Sequence, residues 1–218
     1  MKKQIVIALI LLISLTTITF NHTLKLPLFN LQKIIIENNI LLNEKDIRVL
    51  LRPIYNKNLL LLKNKEIGEV LMQSSFIESY KIKKKYPETL KIIIYEKKPI
   101  AILIYDKKKF YLSEKIELFD FVKLPDYKEL PYVLGNKEKF RNLYINLKKI
   151  KFPFEIIDKY TLFESNRWDL ETKSKKIIKL PSQDYEEKLK NYLSIKDKTN
   201  FKKYSIFDYR IKDQLILK

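Results

Sequence analysis

The chain has 218 residues, of which 44 are Lys or Arg and 26 are Asp or Glu, and its net charge is +18. It contains no cysteine, which excludes disulfides and thiolate metal sites. It has only two glycines and no His-Glu-x-x-His or Gly-x-Ser-x-Gly motif, so it lacks the signatures of common nucleotide-binding and hydrolytic enzymes. The composition predicts no catalytic residue, no cofactor, no metal site and no small-molecule substrate.

The positive charge predicts no specific nucleic-acid partner. Lysine is abundant together with Ile, Asn, Leu, Tyr and Phe, which is the composition that A/T-rich codons produce. The lysines are spread along predicted strand faces and form no single patch. Weak attraction to anionic lipid headgroups or to a cell-wall polymer is the alternative reading of the same charge.

The N-terminus predicts a membrane anchor. Ile5 to Phe20 contain no ionisable side chain and follow Lys2 and Lys3. At about 1.5 Å per residue this stretch reaches about 24 Å, so crossing a hydrocarbon core of ~30 Å requires the flanking residues up to Leu26. The positive-inside rule then predicts a cytoplasmic tail over residues 1–4, a single-pass transmembrane anchor over residues 5–26 and export of all that follows.

A cleaved signal peptide is the alternative for the same stretch. Signal peptidases prefer a small-x-small site, and the only alanine in this region is Ala8. No such site lies near Phe20, which favours the uncleaved anchor.

Residues 28–99 predict a small domain with the element order β-α-α-β-β. An opening strand places Ile34 and Ile36 on one face, and two helices follow, with Asn43 and Asn64 as their predicted N-caps. A hairpin closes the domain. Its strands alternate apolar and charged residues on either side of a turn at Tyr86-Pro87.

Residues 100–218 predict a second domain that is richer in strands. The runs AILIYD, KKFYL and KIELF are typical of an antiparallel meander, and Lys137–Ile150 has the spacing of an amphipathic helix. Further strands are predicted over residues 156–164, 167–171 and 177–180, followed by a helix over residues 185–193 and a last strand over residues 204–210. The predicted fold class is α+β: the N-terminal transmembrane helix, the β-α-α-β-β domain, and then a mostly antiparallel β-domain with a few helices.

Five motifs occur in order along these domains. They are Tyr86-Pro-x-Thr-Leu-x-Ile, Glu96-x-x-Pro-x-Ala, Leu130-Pro-x-x-x-Gly, Arg167-Trp-x-Leu and Asp208-x-Arg. Together with the apolar N-terminal stretch they resemble the FtsQ/DivIB family of bacterial cell-division proteins, whose first exported domain is a POTRA domain. The closing motif is similar to its form in alphaproteobacterial members.

This chain departs from the family in three places: Asn38-Asn39 stand where a glycine is usual, Tyr209 replaces Leu in the closing Asp-Leu-Arg, and the cytoplasmic tail is very short.

The resemblance implies a non-enzymatic scaffold of the division machinery in the inner membrane, with its C-terminal domains in the periplasm and enrichment at the septum. It further implies binding to the coiled-coil pair FtsB and FtsL, and help in placing and regulating septal peptidoglycan synthesis. One alternative is another POTRA-bearing factor that serves outer-membrane protein assembly or secretion. A periplasmic cell-wall hydrolase is a second alternative, for which no catalytic constellation is found.

The last strand is the predicted partner-binding site, through β-augmentation at a sheet edge. Alternation places Tyr204, Ile206 and Asp208 on one face and Ser205, Phe207 and Tyr209 on the other. Tyr204 and Tyr209 are expected to be exposed aromatic anchors of the interface, and Arg210 is expected to contact an acidic group of the partner. The alternative is that this is simply the last core strand, with both faces buried. The predicted partner-binding residues are Tyr204, Ser205, Ile206, Phe207, Asp208, Tyr209 and Arg210.

Overall fold

The computed structural model of the protein describes residues 2–16 and 27–218. The helices are α1 (Lys2–Thr16), α2 (Glu44–Leu50), α3 (Asn64–Leu71), α4 (Lys137–Lys149) and α5 (Tyr185–Ile195). The strands are β1 (Lys33–Glu37), β2 (Ile77–Lys85), β3 (Thr89–Glu96), β4 (Pro99–Tyr105), β5 (Lys108–Ser113), β6 (Leu118–Asp120), β7 (Tyr132–Leu134), β8 (Ile157–Leu162), β9 (Trp168–Thr172), β10 (Ile177–Lys179), β11 (Ile206–Asp208) and β12 (Ile216–Leu217).

The predicted anchor overlaps α1 and extends beyond it. The apolar side chains of α1 from Ile5 to Ile13 are largely exposed. Within residues 2–16 and 27–218, no helix has the length and apolar character needed to cross a membrane. Residues 17–26 of the predicted anchor lie outside the described ranges.

The contacts divide the chain into two compact units. One consists of Met1–Gln73 and Ser79–Ile94, and the other of Ser74–Glu78 and Tyr95–Lys218. Because the cut passes through the hairpin, the first residues of β2 and the last residues of β3 group with the second unit.

After α1, the first unit has the predicted β-α-α-β-β order. Its sheet runs β1-β3-β2, and β1 pairs with β3 in parallel. Alternation along β3 buries Leu90, Ile92 and Ile94 completely. The helices contribute Ile47 and Ile67, also fully buried, to the same core. A mixed sheet with one apolar face against two amphipathic helices is therefore what the sequence pattern encodes.

One predicted helix cap is confirmed and the other is wrong. The side chain of Asn43 accepts a hydrogen bond from the backbone N–H of Lys45 (3.0 Å), as expected for the N-cap of α2. The N-cap of α3 is Lys63, whereas Asn64 is the first helical residue. The Glu66 carboxylate accepts the backbone N–H of Lys63 (3.2 Å), so a glutamate three residues after the cap fixes the start one residue earlier.

Asn38 replaces the glycine that is usual after the first strand. Its φ of 65° lies in the left-handed region, which asparagine tolerates better than most residues. Its side-chain amide donates to the carbonyl oxygen of Ile94 (2.8 Å). The departure from the family pattern is therefore accommodated locally.

The second unit contains a nine-stranded sheet in the order β12-β11-β10-β9-β8-β7-β4-β5-β6. Five of its eight strand pairs are antiparallel, as in the predicted meander β4-β5-β6. Three pairs are parallel: β4 with β7, β7 with β8, and β10 with β11. The helices explain two of these, because α4 connects β7 to β8 and α5 connects β10 to β11, and parallel neighbours need such a crossover.

A continuous apolar row lies under the two helices of this sheet. Register pairs Val133 with Tyr160, Leu170 with Ile178, and Ile178 with Phe207, all of them buried. The amphipathic spacing predicted for this helix is confirmed, because α4 buries Phe140, Leu143, Tyr144 and Leu147. Trp168 is 5% exposed and belongs to this core.

Gly135 ends the predicted Leu-Pro-x-x-x-Gly element just after β7. A Cβ atom at this position would lie 2.7 Å from Cβ of Leu162 and 3.3 Å from the ring of Trp168. The 2.7 Å contact is shorter than packed side chains permit, so the close approach of β7 to β8 requires glycine here.

Candidate partner-binding site

The predicted binding strand is the last but one of the nine-stranded sheet. β11 covers only Ile206–Asp208, and it pairs in parallel with Ile177–Lys179 on one side and antiparallel with Ile216–Leu217 on the other. The carbonyl oxygen of Lys218 accepts the backbone N–H groups of Ser205 (2.7 Å) and Ile206 (2.9 Å). Within the described part of the chain, the edge of the sheet is therefore β12.

The sequence analysis predicted no strand after residue 210, so it missed β12. This strand is two residues long and follows a loop that contains Asp213 in the left-handed region. The available signal was the alternation of Leu215 and Leu217, which is too short to separate a strand from a loop.

Two of the predicted site residues face the core. Phe207 is fully buried, and its ring lies 5.0 Å from that of Tyr192 on α5 in an edge-to-face arrangement. Tyr209 is only 3% exposed, and its hydroxyl donates to the side-chain oxygen of Asn191 (2.9 Å). Burial raises the pKa of Tyr209 well above its ordinary value. The expectation that Tyr209 is an exposed aromatic is therefore corrected, because α5 covers this face of β11.

Tyr204 and Ser205 precede β11 and are more accessible. Tyr204 is half-buried, and the ammonium group of Lys203 lies 5.0 Å from the centre of its ring. Ser205 is exposed, and its hydroxyl donates to the carbonyl oxygen of Lys218 (3.3 Å). These two residues and the half-buried Ile206 make up the accessible part of the predicted set.

Asp208 and Arg210 form a bidentate ion pair. The guanidinium donates from Nε to Oδ1 (2.8 Å) and from Nη2 to Oδ2 (2.6 Å), and the backbone N–H of Arg210 donates to Oδ1 (3.1 Å). These bonds hold the pKa of Asp208 below its ordinary value and raise that of Arg210. The Arg210 side chain is 40% exposed, so its charge is already shared within the chain while part of it faces solvent.

A row of alternating charge runs across the last strands on the face opposite the helices. Register places Asp169 beside Lys179, and Lys179 beside Asp208. Asp169 is partly buried, and its Oδ1 lies 4.0 Å from the Nε of Arg167. Neither of these two atoms has a hydrogen-bond partner among the described atoms. Burial raises the pKa of Asp169, although the nearby arginines and Lys179 oppose the shift.

A hollow of about 390 Å³ lies next to this row. It brings Arg167 together with Arg210, although the sequence separates them by more than 40 residues, and Ile216 of β12 lines it as well. Arg167 was recognised only as part of a strand motif. Its place in the site follows from the pairing of β9 with β10 and of β10 with β11, which no local pattern reveals.

The row and the hollow present side chains of mixed character. Charged side chains lie beside apolar ones, with Ile177 paired to Ile206 on the same face. Across residues 2–16 and 27–218, no group of three or more His, Cys, Asp or Glu side chains is placed to hold a metal ion. What the arrangement provides is a short strand edge with a mixed apolar and charged face, which is typical of a protein-binding surface.

The fold and this edge define a class of protein with a POTRA-type unit followed by a larger mixed β-domain. The family model for the POTRA domain, FtsQ-type, matches residues 29–97. The model for the cell division protein FtsQ/DivIB, C-terminal, matches residues 101–210, which is half of the chain. The chain belongs to the FtsQ/DivIB family of cell-division proteins, as the motifs predicted.

Named relatives agree with this assignment. The cell division protein FtsQ of Rickettsia conorii is 28% identical over 207 residues, covering 92% of this chain and 76% of that protein. Its counterpart in Rickettsia prowazekii is 28% identical over 190 residues, covering 85% and 69% respectively. The alignment with the solved major extracytoplasmic domain of the cell-division protein DivIB from Geobacillus stearothermophilus covers 47% of this chain and 92% of that domain, with 15% identity and a TM-score of 0.35.

Proposed function

We propose that this protein is a non-enzymatic, single-pass scaffold of the bacterial divisome that binds FtsB- and FtsL-like coiled-coil proteins. In this role it helps to place and regulate septal peptidoglycan synthesis. Membership in the FtsQ/DivIB family supports the division role. The observation that carries the binding mode is the two-residue edge strand β12 on the outside of β11.

A short edge strand favours β-augmentation by a partner. The main-chain groups on the outer side of β12 have no further strand beside them within the described residues, so an added strand would extend the sheet through hydrogen bonds. Selectivity would come from side chains, with Ile206 and Ile216 supplying apolar contact and Arg167 supplying charge. Tyr204 and Ser205 lie next to this edge and are accessible to the same partner.

Four residues of the predicted site hold β11 and the segment after it in place in this proposal. Phe207 and Tyr209 hold β11 against α5. Asp208 and Arg210 fix the chain where it leaves β11, which sets the path of the loop towards β12. The coiled-coil pair would therefore contact Tyr204, Ser205, Ile206 and the exposed part of Arg210, while the other three residues position them.

Binding is tested by co-purifying the full-length protein with FtsB- and FtsL-like proteins of the same organism from membranes. We expect both partners to be retained by the wild-type chain and to be lost from a variant that lacks Ile216–Lys218. A folded variant of this kind that still retains the partners would show that the interface lies elsewhere.

The membrane anchor over residues 5–26 belongs to the same proposal. An uncleaved span predicts that protein from membranes keeps Met1 or Lys2 at its N-terminus and resists carbonate extraction. It also predicts that protease added from the periplasmic side removes the domains that follow. Mass spectrometry of the intact protein measures the first property, and a mature N-terminus near Asn21 would contradict the anchor.

A further inference from the structure

Four exposed apolar side chains gather at one end of the first unit. This apolar cluster consists of Leu28, Leu60, Leu61 and Tyr86. Leu28 is 68% exposed and Leu61 is 72% exposed, so the unit itself does not bury them. Single exposed apolar residues are common on protein surfaces, whereas several together mark a surface that contacts something else.

Backbone hydrogen bonds and a ring contact hold the cluster together. The segment before β1 runs antiparallel to the segment before α3. The backbone N–H of Leu59 donates to the carbonyl oxygen of Phe29 (2.7 Å), so Leu28 and Leu60 are the next residues outward from this pair. The ring of Phe29 lies 6.3 Å from that of Tyr86 in an edge-to-face arrangement. Three segments of the chain therefore meet at the cluster.

The cluster lies at the end of the three-stranded sheet where the chain enters it. β1 is parallel to β3, so both strands begin at this end, and Tyr86 lies here too because it is in the turn from β2 to β3. Ile40 lies towards the opposite end, since Asn38 after β1 donates to the carbonyl oxygen of Ile94 late in β3 (2.8 Å). At about 3.3 Å per residue, β1 separates the two ends by at least about 13 Å.

The proposed membrane anchor brings this end of the sheet close to the bilayer. The anchor ends at Leu26, two residues before Leu28. An extended chain advances at most about 3.6 Å per residue, so Leu28 lies within about 7 Å of the end of the anchor. The cluster is therefore tethered within reach of the lipid headgroups.

Lysine predominates around the cluster. Lys63 follows the exposed leucines closely, Lys84 and Lys85 end β2, and the ammonium group of Lys84 donates to the carbonyl oxygen of the residue before Lys63. The acidic residues at this end are Glu66 and Glu88, and Glu66 is already paired with another lysine (3.3 Å). Apolar side chains with a tyrosine and a basic surround are the features that favour the boundary between anionic headgroups and acyl chains.

We propose that the apolar cluster of the first unit docks on the surface of the membrane, with Leu28, Leu60, Leu61 and Tyr86 at the headgroup boundary. Lys63, Lys84 and Lys85 meet the phosphates of anionic lipids. This inference rests on the membrane anchor of the proposed function and deepens it, because docking fixes which end of the first unit faces the bilayer. The coiled-coil binding proposed for the C-terminal edge does not depend on it.

A fluorescent label at one position tests the contact with lipid. The chain has no cysteine, so Leu61→Cys in the full-length protein carries a single environment-sensitive NBD dye. The protein is held in nanodiscs of phosphatidylcholine and phosphatidylglycerol that contain a lipid with a nitroxide on its acyl chain near the headgroup. Ile40→Cys, labelled in the same way, is the matched control, because Ile40 is also an exposed apolar residue of this unit. We expect the label at position 61 to emit at shorter wavelength and to be quenched several-fold more strongly than the label at position 40.

Variants of the labelled Leu61→Cys protein test the parts of the surface. Leu28→Asp together with Leu60→Asp places carboxylates in the cluster and should lower quenching at position 61 to the level found at position 40. Ile40→Asp adds the same charged group at the other end of the sheet and should leave the quenching unchanged. Lys63→Gln with Lys85→Gln should lower the quenching in discs that contain phosphatidylglycerol and change it little in discs of phosphatidylcholine alone.

The docking proposal is overturned if quenching at position 61 is no stronger than at position 40, or if the paired aspartates leave it unchanged. A label at position 61 that emits at shorter wavelength without being quenched would also overturn it, since another protein surface would then cover the cluster. Mass spectrometry of the protein recovered from the discs tests the anchor separately. Intact protein with an unquenched label would refute docking and leave the anchor standing, whereas an unquenched protein that lacks its first 20 residues would refute both.

Discussion

The two edge strands of the nine-stranded sheet, β6 and β12, differ in whether another segment covers them. At β6 another segment closes the edge, because the side-chain oxygen of Ser75 accepts the backbone N–H of Asp120 (3.2 Å) and its hydroxyl donates to the Asp120 carboxylate (2.6 Å). The ring of Phe119 packs 5.3 Å from that of Phe76 in the same segment. At β12 the edge is two residues long, and no further strand pairs with it in the described chain.

This difference separates an edge that is protected from one that can accept a strand. Exposed strand edges invite pairing with other chains, and proteins protect those that are not used. Both β6 and β12 are edge strands, so edge position alone does not distinguish them. The hydrogen bonds of Ser75 to Asp120 protect β6, and they therefore favour β12 as the proposed site of β-augmentation.

Among the variants that test the difference between the two edges, Ile206→Pro should have the largest effect on partner binding. Proline removes the N–H that donates to Lys218 and so detaches the last residues from β11. We expect binding of the coiled-coil partners to fall by more than about 100-fold, which corresponds to roughly 3 kcal/mol. Pull-down with the full-length protein measures the loss, and circular dichroism checks that the variant is folded. Undiminished binding by a folded variant would place the interface elsewhere.

Two tyrosines near the same edge should respond in opposite ways. Tyr204 is half-buried and accessible, so Tyr204→Ala should weaken partner binding by about 1 to 3 kcal/mol with little change in stability. Tyr209 is buried, so Tyr209→Ala should instead lower the free energy of unfolding by about 3 kcal/mol. Urea denaturation and calorimetric binding on both variants test the contrast, and a reversed pattern would contradict the placement of these rings.

Removing the Ser75 hydrogen bonds at the β6 edge should change the free energy of unfolding without changing partner binding. Ser75→Ala deletes both hydrogen bonds to Asp120 and should lower the free energy of unfolding by about 1 kcal/mol. Partner binding should not change, because the proposed binding edge is β12. Loss of binding in this variant, with the fold intact, would mean that β6 takes part in recognition.

Asp208→Asn should have the smallest effect, and the effect should depend on pH. The Asp208 carboxylate has a lowered pKa in the folded state because of Arg210, so its contribution is present above the ordinary carboxyl pKa of about 4 and is lost as the pH falls below it. With the guanidinium partly exposed, we expect about 1 kcal/mol of stabilisation at neutral pH. The difference in unfolding free energy between wild type and variant should disappear near pH 2, and a constant difference would argue against the ion pair.

Much of the local structure followed from the sequence. The alternation in the hairpin, the Asn43 cap and the amphipathic spacing of α4 all follow from the sequence, because each depends on residues within one or two turns or one strand of each other. The family motifs were recognised for the same reason, since each is a short run. The Lys63 cap is the exception, and it was decided by a single glutamate side chain.

Long-range pairing was decided only by the tertiary structure. Parallel neighbours such as β10 and β11 are separated in the chain by a whole helix, and the choice among possible partners depends on which arrangement buries the apolar face of that helix. That choice buried Tyr209, brought Arg167 to Arg210 and left the buried hydroxyl of Tyr160 without a hydrogen-bond partner among the described atoms. The sequence therefore determined the elements, their order and the family, whereas the burial of surfaces far apart in the chain decided which strand became the edge.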